Sequence, residues 1–418
     1  STAINAIEGR AVFDGQEYRL SVRATRTEDG AIWYDLGDDS WRAVKVTKEG
    51  WQIQEKIPVL FRRYSHLDAQ VDPVAGGRVE DVLKFVNITD PDQKILFLVY
   101  LVVAMIPGFP HPMPFVFGPQ GSAKSSLSRI LRKLIDPSKL DVVSLTRHEK
   151  DLLLQLAHQY FLFFDNVSDI PDWIADLLCR AITGAGVASR VLYTNSDEVI
   201  QNIRTNVGVN GINLSCSKPD LLERSILFEL TRMDKSVRKN EDELYAEFEA
   251  ERPMILGAMF DAVAKTLELR DSVKLPSLPR MADFAAYGYA AAEALGIGGQ
   301  SFMDAYYRNI NSQSSAVIDD NLVASLLRDI ANVSVYWEGT ADELLKKMKD
   351  MLLERQVADR ELPPTASALS REVNKVSTPL LDEEVSVSHH PKQRRVIIIR
   401  KMDTGTDCAS VADNGPCP

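Results

Sequence analysis

Cysteines are few in this sequence, and no pattern pairs them. Two of the four have apolar neighbours, Cys179 and Cys216, and two fall in a polar tail, Cys408 and Cys417. Because there is no Cys-x-x-Cys pair and no mixed His/Cys cluster, a zinc site is not expected. Scarce cysteine without a visible secretory signal favours a reducing, cytoplasmic location.

Long hydrophobic runs and excess positive charge are also missing. The most apolar stretch, residues 95–106, has 12 residues, whereas a membrane-spanning helix needs about 20. We therefore expect a buried helix there and no membrane association. The net charge of −11 argues against a protein that coats DNA with its whole surface. A nucleic-acid motor is not excluded, since it needs positive charge only along its channel.

What the sequence does contain is an apolar strand, a glycine-rich loop and a helical run in direct succession. Loop amides and a helix N-terminus present positive dipoles to phosphate oxygens, so this layout predicts a P-loop that binds ATP and Mg²⁺. Lys124 would reach the β- and γ-phosphates, and the Ser125 hydroxyl would bind Mg²⁺. The expected ATP-binding residues are Gly118, Pro119, Gln120, Gly121, Ser122, Ala123, Lys124, Ser125 and Ser126.

The loop departs from the strict P-loop pattern at one position. Ala123 stands where a glycine normally precedes the lysine, and we expect Gly121 to supply the backbone freedom instead. A surface turn that happens to hold a lysine is the alternative on the motif alone.

A second apolar run ends at Asp165, about 40 residues after Lys124. In P-loop ATPases such a strand lies beside the P-loop strand, and its terminal aspartate holds Mg²⁺. We therefore expect Asp165 to hold the metal; a buried strand that ends at a turn aspartate is the alternative. The next residue, Asn166, can orient a water but cannot take its proton. Nothing in the sequence shows that Asp169 reaches the site.

Three further segments follow this strand. Two β-like arms, residues 191–193 and 199–203, flank a polar tip and predict a β-hairpin. A later strand ends at Asn210, which either contacts the γ-phosphate or attacking water or simply caps the strand. A short helix and another strand come next, with Arg224 between them.

Together these segments resemble the ATPase domain of phage- and plasmid-type replication helicases, superfamily 3-like members of the AAA+ class that are often fused to primase domains. Minichromosome-maintenance helicases share the same general plan. The resemblance covers about residues 80–310 and, more loosely, the C-terminus. It rests on residues 118–125, 164–168, 178–184, 189–193, 210–212 and 220–224.

The resemblance implies a ring, usually a hexamer, with ATP bound between neighbouring copies. Asn210 matches the position that senses the nucleotide, and Arg224 matches the arginine finger that a neighbour inserts. A helix-terminal cation paired with Glu223 is the alternative for Arg224. The implied catalytic residues are Lys124, Asp165, Asn166, Asn210 and Arg224, with Ser125 and Asp165 on Mg²⁺.

The predicted hairpin matches the one with which these helicases grip DNA in the ring channel. Its tip carries Asp197 and Glu198, which would repel phosphate. Arg190 and Arg204, at the hairpin's base, are therefore the better candidates for nucleic-acid contact.

The C-terminal region reads as three helices followed by two strands, which is typical of a winged helix. Its wing is the most basic stretch of the chain, and basic clusters give sequence-independent affinity for phosphate. A protein-docking winged helix with a solvated wing is the alternative. The candidate nucleic-acid residues here are Lys392, Arg394 and Arg395.

These observations predict an α/β fold: a P-loop AAA+ ATPase core with a β-rich N-terminal domain, a helical region and a C-terminal winged helix. The expected boundaries are 1–77, 78–235, 236–315, 316–402 and, for a disordered tail, 403–418. Short runs such as residues 11–13, 18–22, 31–36, 41–46 and 51–53 are the expected N-terminal strands.

We expect a ring motor that hydrolyses ATP to translocate on or unwind single-stranded or forked DNA during replication of a phage or mobile element. An AAA+ ATPase that remodels or loads a protein partner is the first alternative, and a P-loop kinase is the second. The chain begins at Ser1 without methionine, which is compatible with a primase domain or another protein segment upstream.

Overall fold

The computed structural model describes residues 2–16, 18, 20–184, 186–190, 198–212, 218–234, 240–355, 362–390 and 393–402. The chain divides into two compact units, Ser1–Tyr307 and Arg308–Pro418. Both units mix helices and strands: the N-terminal region is rich in strands, and the C-terminal part is largely helical. No helix within these ranges is both long and apolar enough to cross a membrane. The tail at 403–418 lies outside the described residues.

The N-terminal region is a short antiparallel sheet preceded by a helix. Strands β2 to β5 pair in sequence order, and β1 pairs in parallel with β6. The expected strand at residues 11–13 is wrong, because these residues belong to a helix that is rich in alanine, a strong helix former. The elements are α1 (Thr2–Asp14), β1 (Leu20–Ser21), β2 (Ala24–Arg26), β3 (Ile32–Asp35), β4 (Ala43–Thr47), β5 (Gly50–Gln54) and β6 (Leu60–Phe61).

A parallel sheet flanked by helices follows in the same unit. The apolar run at 95–106 enters a buried helix, as expected, and Asp90 caps that helix by accepting a hydrogen bond from the Gln93 amide. After a 3-10 helix at Val79–Lys84, the elements are α2 (Pro91–Val103), β7 (Met113–Phe117), α3 (Lys124–Ile135), α4 (Glu149–Ala157), β8 (Phe161–Phe164), α5 (Asp172–Thr183), β9 (Gly186–Arg190), β10 (Glu198–Asn202), β11 (Asn206–Gly211), α6 (Pro219–Leu222) and β12 (Ser225–Glu229).

The order of the strands in this parallel sheet is β12-β7-β11-β8. Strands β8 and β11 are fully buried, and β7 is buried except at its last residue, as expected for a parallel sheet covered on both faces. The expectation that the strand before Asp165 lies beside the P-loop strand is wrong, because β11 pairs with both β7 and β8 and separates them. Register of this kind depends on contacts far apart in the chain, which a local pattern does not encode.

One buried carboxylate joins the N-terminal sheet to the parallel sheet. The Arg23 Nε donates to Asp136 Oδ1 at 2.8 Å, and both side chains are almost fully buried. Arg132 of α3 donates to Asp136 Oδ2 at 3.1 Å. The same oxygen accepts from the amides of Tyr160 and Phe161 at 3.1 and 3.0 Å. Asp136 therefore fixes the end of α3 against the start of β8.

Long helices complete the first unit, and the second has its own core. The described part of residues 316–402 contains one strand more than expected: β13 pairs with β15, which is the central strand of a three-stranded sheet. A cluster of buried aliphatic residues packs the helices of this unit against that sheet. The elements are α7 (Glu241–Leu269), a 3-10 helix at Arg270–Ser272, α8 (Ala282–Ala294), α9 (Gly299–Asp320), α10 (Leu322–Ser334), β13 (Tyr336–Thr340), α11 (Ala341–Glu354), α12 (Ala366–Asp382), β14 (Val385–His390) and β15 (Gln393–Lys401).

Candidate functional site

The loop between β7 and α3 has several residues in the left-handed backbone region. Gly118 has φ +143° and Gly121 has φ +78°. A Cβ on Gly118 would lie 2.1 Å from the carbonyl oxygen of Leu230, so only glycine fits this position. Ala123 is itself left-handed, with φ +64°, which costs an L-residue about 1–2 kcal/mol. Gly121 thus uses the backbone freedom of glycine, and Ala123 adopts its own left-handed conformation under strain.

The N-terminus of α3 faces this loop without a side-chain cap, because its N-cap residue is Ala123. The first amides of a helix have no intrahelical partner and attract anions. The Lys124 Nζ donates to the carbonyl oxygens of Gly118 and Pro119 at 2.7 and 3.0 Å, so the ammonium lies against the loop. Partial burial lowers the pKa of Lys124, and the nearby Asp165 carboxylate opposes the shift.

Asp165 is the acceptor of two hydrogen bonds that bring the loop helix and the sheet together. The Ser125 Oγ donates to Asp165 Oδ1 at 3.0 Å, and the Asn210 Nδ2 donates to the same oxygen at 2.6 Å. Asn210 Nδ2 also lies 2.7 Å from Ser128 Oγ, and that hydroxyl donates to the Lys124 carbonyl at 3.0 Å. Three predicted residues thus form one network, and Ser128 belongs to it without any signal in the motif that would have identified it.

Asn166 contributes its backbone to the same network. Its amide donates to Asn210 Oδ1 at 2.8 Å, and its φ of +54° turns the chain away after β8. Asp169 does not join this network: it is exposed, and its Oδ2 lies 3.7 Å from Arg147 Nη2 in a surface ion pair. Of these two neighbours of Asp165, only Asn166 joins the network, and its role toward water stays a prediction.

Arg224 lies at the opposite end of the sheet from the loop, where the parallel strands begin. It directly precedes β12, whose Ser225 pairs with Met113 at the start of β7. Its Nη1 donates to Asp220 Oδ1 at 2.8 Å, while its Nε is buried without a hydrogen-bond partner. Arg280 also pairs with Asp220, so this carboxylate, which sequence reasoning missed, holds two arginines. Glu223, the partner considered from the sequence, pairs with Arg280 instead.

The hairpin has a different register from the expected one. Strands β9 and β10 pair so that Glu198 lies opposite Arg190, which places Glu198 in an arm and not at the tip. Residues 191–197, including the expected first arm and Asp197, lie outside the described residues. Arg204 follows β10, and its Nη1 donates to the Gly108 carbonyl at 2.7 Å.

The basic wing is described only in part. Arg394 and Arg395 lie in β15, the central strand of the C-terminal sheet, and Lys392 lies outside the described residues. Phosphate contact by these three residues stays a prediction, as does the winged-helix assignment itself.

Comparisons with known proteins place this chain among replication proteins. The family model for the actinomycete integrative conjugative element replication protein matches residues 79–313, more than half of the chain. The model for the C-terminal domain of the same RepA family matches residues 323–410. No curated protein matches the chain.

Solved structures resemble the chain only distantly. One apo structure of the NrS-1 C-terminal region (305–718) has 12% identity, covers 87% of this chain and 94% of its own, and gives a TM-score of 0.40. A second apo form of the NrS-1 C-terminal region has 12% identity and covers 96% of this chain and 91% of its own, with a TM-score of 0.39. Similarity at this level carries no argument about function. The two family matches, one after the other along the sequence, show that the chain belongs to the replication proteins of actinomycete integrative conjugative elements.

Proposed function

We propose that this replication protein is a ring-forming P-loop ATPase of the AAA+ class that couples ATP hydrolysis to movement along, or unwinding of, the element's DNA. The observation that carries the proposal is the 3.0 Å hydrogen bond from Ser125 Oγ to Asp165 Oδ1. It joins a hydroxyl at the start of the loop helix to a carboxylate at the end of a buried strand, which is the pairing that Mg-ATP sites use.

The residues present fit ATP and Mg²⁺. Hydroxyl and carboxylate oxygens are the hard donors that Mg²⁺ prefers, and Ser125 and Asp165 provide one of each. The uncapped amides of α3 and the Lys124 ammonium are donors suited to phosphate oxygens. Bound Mg²⁺ would neutralise charge between the β- and γ-phosphates. Asn210 holds the Asp165 carboxylate in place through its 2.6 Å hydrogen bond.

The sheet order supports this assignment. Strand β11 is paired on one side with the strand before the loop and on the other with the strand before Asp165. Its Asn210 therefore lies between the two halves of the site, at the carboxyl edge where open parallel sheets bind ligands. This is a suitable place for a side chain that responds to the γ-phosphate.

The position of Arg224 supports a site shared between copies. From Ser225 to Glu229, strand β12 rises about 13 Å, which separates Arg224 from the carboxyl edge of its own sheet. An Arg224 that reaches phosphate must then belong to another copy of the chain. The Arg224 side chain is 15% exposed, so part of it stays accessible to a neighbouring copy. The number of copies, six, is taken from the family resemblance alone.

ATP-driven loading or remodelling of a protein partner is the second candidate function. The net charge of −11 and the acidic Asp197 and Glu198 of the hairpin sequence favour a loader or remodeller over a protein that holds DNA tightly. The two functions make opposite predictions about nucleic acid, because only the motor requires that DNA stimulate hydrolysis.

The test is ATP turnover by the full chain with and without single-stranded and forked DNA. The motor predicts DNA-stimulated hydrolysis that Lys124→Ala abolishes. Lys150→Ala, which removes an exposed lysine of α4, is the matched control and should behave like the unchanged protein. Turnover that is lost in Lys124→Ala but never stimulated by DNA would refute the motor and favour the remodeller. Turnover that survives Lys124→Ala would refute the site.

A further inference from the structure

The base of the β9–β10 hairpin is fastened by one arginine and one glycine. Gly184 is the C-terminal cap of helix α5, and its φ is +81°. A Cβ on Gly184 would lie 2.6 Å from Nε and 3.0 Å from Nη2 of Arg204. The guanidinium therefore occupies space that any other residue at position 184 would fill. The next amide, Thr205 N, donates to the Ala181 carbonyl of α5 at 3.1 Å, so the two ends of the hairpin are held together.

The remaining nitrogen of this guanidinium reaches a different part of the unit. Arg204 Nη1 donates to the carbonyl of Gly108 at 2.7 Å. Gly108 belongs to the proline-rich segment that connects α2 with β7. One nitrogen of Arg204 is therefore bonded to backbone, and the other two lie beside Gly184, although the residue as a whole is exposed. A side chain held in this way is poorly disposed to bind a phosphate of DNA.

The segment that accepts this hydrogen bond is stacked on the helical region. The next residue, Phe109, is buried and lies face to face with Tyr287 of α8, with ring centroids 4.5 Å apart and planes within 1°. The Tyr287 hydroxyl accepts a hydrogen bond of 2.8 Å from Arg26 of β2, and the Arg270 guanidinium carbon lies 4.9 Å from the Tyr287 ring. One continuous series of contacts runs from the hairpin through Arg204 to α8 and the N-terminal sheet.

We infer that Arg204 is a positioning residue, which fastens the hairpin to the 107–112 segment and transmits hairpin movement to α8 and the N-terminal sheet. The role of Arg204 in coupling rests on the proposed motor function, since coupling needs DNA-dependent turnover. This positioning role is an alternative to the expectation that Arg204 contacts nucleic acid. A lysine at position 204 keeps the positive charge but lacks the planar guanidinium that lies beside Gly184 while Nη1 donates to Gly108.

Three variants separate positioning from DNA contact. Arg204→Lys preserves charge, Arg204→Ala removes it, and Gly184→Ala keeps the arginine but intrudes on its guanidinium. A positioning role predicts that Arg204→Lys and Gly184→Ala each lower the ratio of DNA-stimulated to basal turnover by about 5-fold or more, the low end of typical coupling. The dissociation constant for single-stranded DNA should stay unchanged in both.

A DNA-contact role predicts the reverse. Arg204→Ala would weaken DNA binding and reduce the slope of log affinity against log salt by about 1, while Arg204→Lys and Gly184→Ala would retain coupling. That result overturns the inference.

Hydrogen exchange of the same variants gives an answer that does not depend on the motor. Faster exchange of the β10 amides in Arg204→Lys than in the unchanged chain supports the positioning role, and equal exchange overturns it. Absence of DNA-stimulated turnover in the unchanged chain would refute the motor while this measurement still decides whether Arg204 fastens the hairpin.

Discussion

Ser125 and Asp165 lie 40 positions apart in the sequence, yet their side chains share a hydrogen bond of 3.0 Å. The bond exists because α3 starts and β8 ends at the same edge of the parallel sheet. It links the two residues through which the proposed ATPase would hold Mg²⁺. Both belong to the predicted set, and their contact is the part of the site that a substitution tests most directly.

Removing the Ser125 hydroxyl should weaken Mg²⁺ binding more than ATP binding. In Ser125→Ala we expect the Mg²⁺ concentration for half-maximal ATP turnover to rise by about 10-fold or more, because one oxygen of the metal site is lost. Turnover measured across a Mg²⁺ titration checks this. Ser301→Ala, on an exposed position of α9, should leave the titration unchanged. An unaltered Mg²⁺ requirement in Ser125→Ala would remove Ser125 from the metal site.

Arg224→Ala should bind ATP normally and lose about 10³-fold in turnover, because an arginine supplied by a neighbour stabilises charge on the transferring phosphoryl group. Exposed Arg147, changed to alanine, is the control for loss of one positive charge.

Mixing Arg224→Ala with Lys124→Ala should restore turnover. Random assembly of equal amounts makes about a quarter of the interfaces complete, with an intact lysine facing an intact arginine. Nucleotide-binding and turnover assays of the single and mixed proteins check the prediction, and a mixture as inactive as its components would argue against a shared site.

Because the pKa of Asp136 is lowered in the fold, we expect the protein to lose stability in acid. Burial by itself would raise the pKa of this carboxyl, but the guanidiniums of Arg132 and Arg23 hold it below its ordinary value. Its folded pKa therefore lies under the unfolded value of about 3.9. The stability it contributes is complete above about pH 4 and is lost as pH falls through the lower, folded pKa.

Replacing Asp136 with asparagine should remove this part of the acid dependence. It should also destabilise the fold by about 3–5 kcal/mol, because two buried arginines lose their counterion. Thermal midpoints between about pH 3 and pH 7 measure both effects. Asp39→Asn, at an exposed aspartate, is the control and should follow the unchanged protein. If Asp136→Asn is as stable as the unchanged chain at neutral pH, the buried network contributes little.

The strain at Ala123 predicts that Ala123→Gly is stabilising. The left-handed φ of +64° costs alanine about 1–2 kcal/mol, and the greater freedom of glycine in the unfolded chain offsets part of the gain, roughly 0.5–1 kcal/mol. The free energy of unfolding should rise by up to about 1.5 kcal/mol. Ala246→Gly, at an exposed position inside α7, should have the opposite sign. Destabilisation of both variants by equal amounts would contradict the strain at position 123.

Local patterns in the sequence predicted the loop, Lys124, Ser125, Asp165 and Asn210; the structure brings Ser125, Asp165 and Asn210 together, and their roles stay predictions. Each follows or precedes an apolar run whose length and flanking residues indicate a buried strand or a helix. The buried helix at residues 95–106 was predictable for the same reason. The expected domain boundaries are not tested by the structure and stay predictions.

The contacts that sequence could not predict are long in range or depend on backbone strain. Arg23 and Asp136 are 113 positions apart, and no spacing rule relates them. The insertion of β11 between β7 and β8 depends on sheet register. The strand Tyr336–Thr340 was missed because it is short and only partly buried, so it lacks an apolar run. The left-handed conformation of Ala123 contradicts the usual preference of alanine and follows from the loop.

Strand β12 gives each copy of the chain a direction. Because β12 runs parallel to β7, Arg224 lies where these strands begin and the Lys124 site lies where they end. In the proposed assembly, every copy therefore receives an arginine from one neighbour and gives one to the other. An open row of copies then has one site at its end that no arginine completes. Closing the row into a ring removes that last inactive site, which would make turnover per copy a measure of how many assemblies have closed.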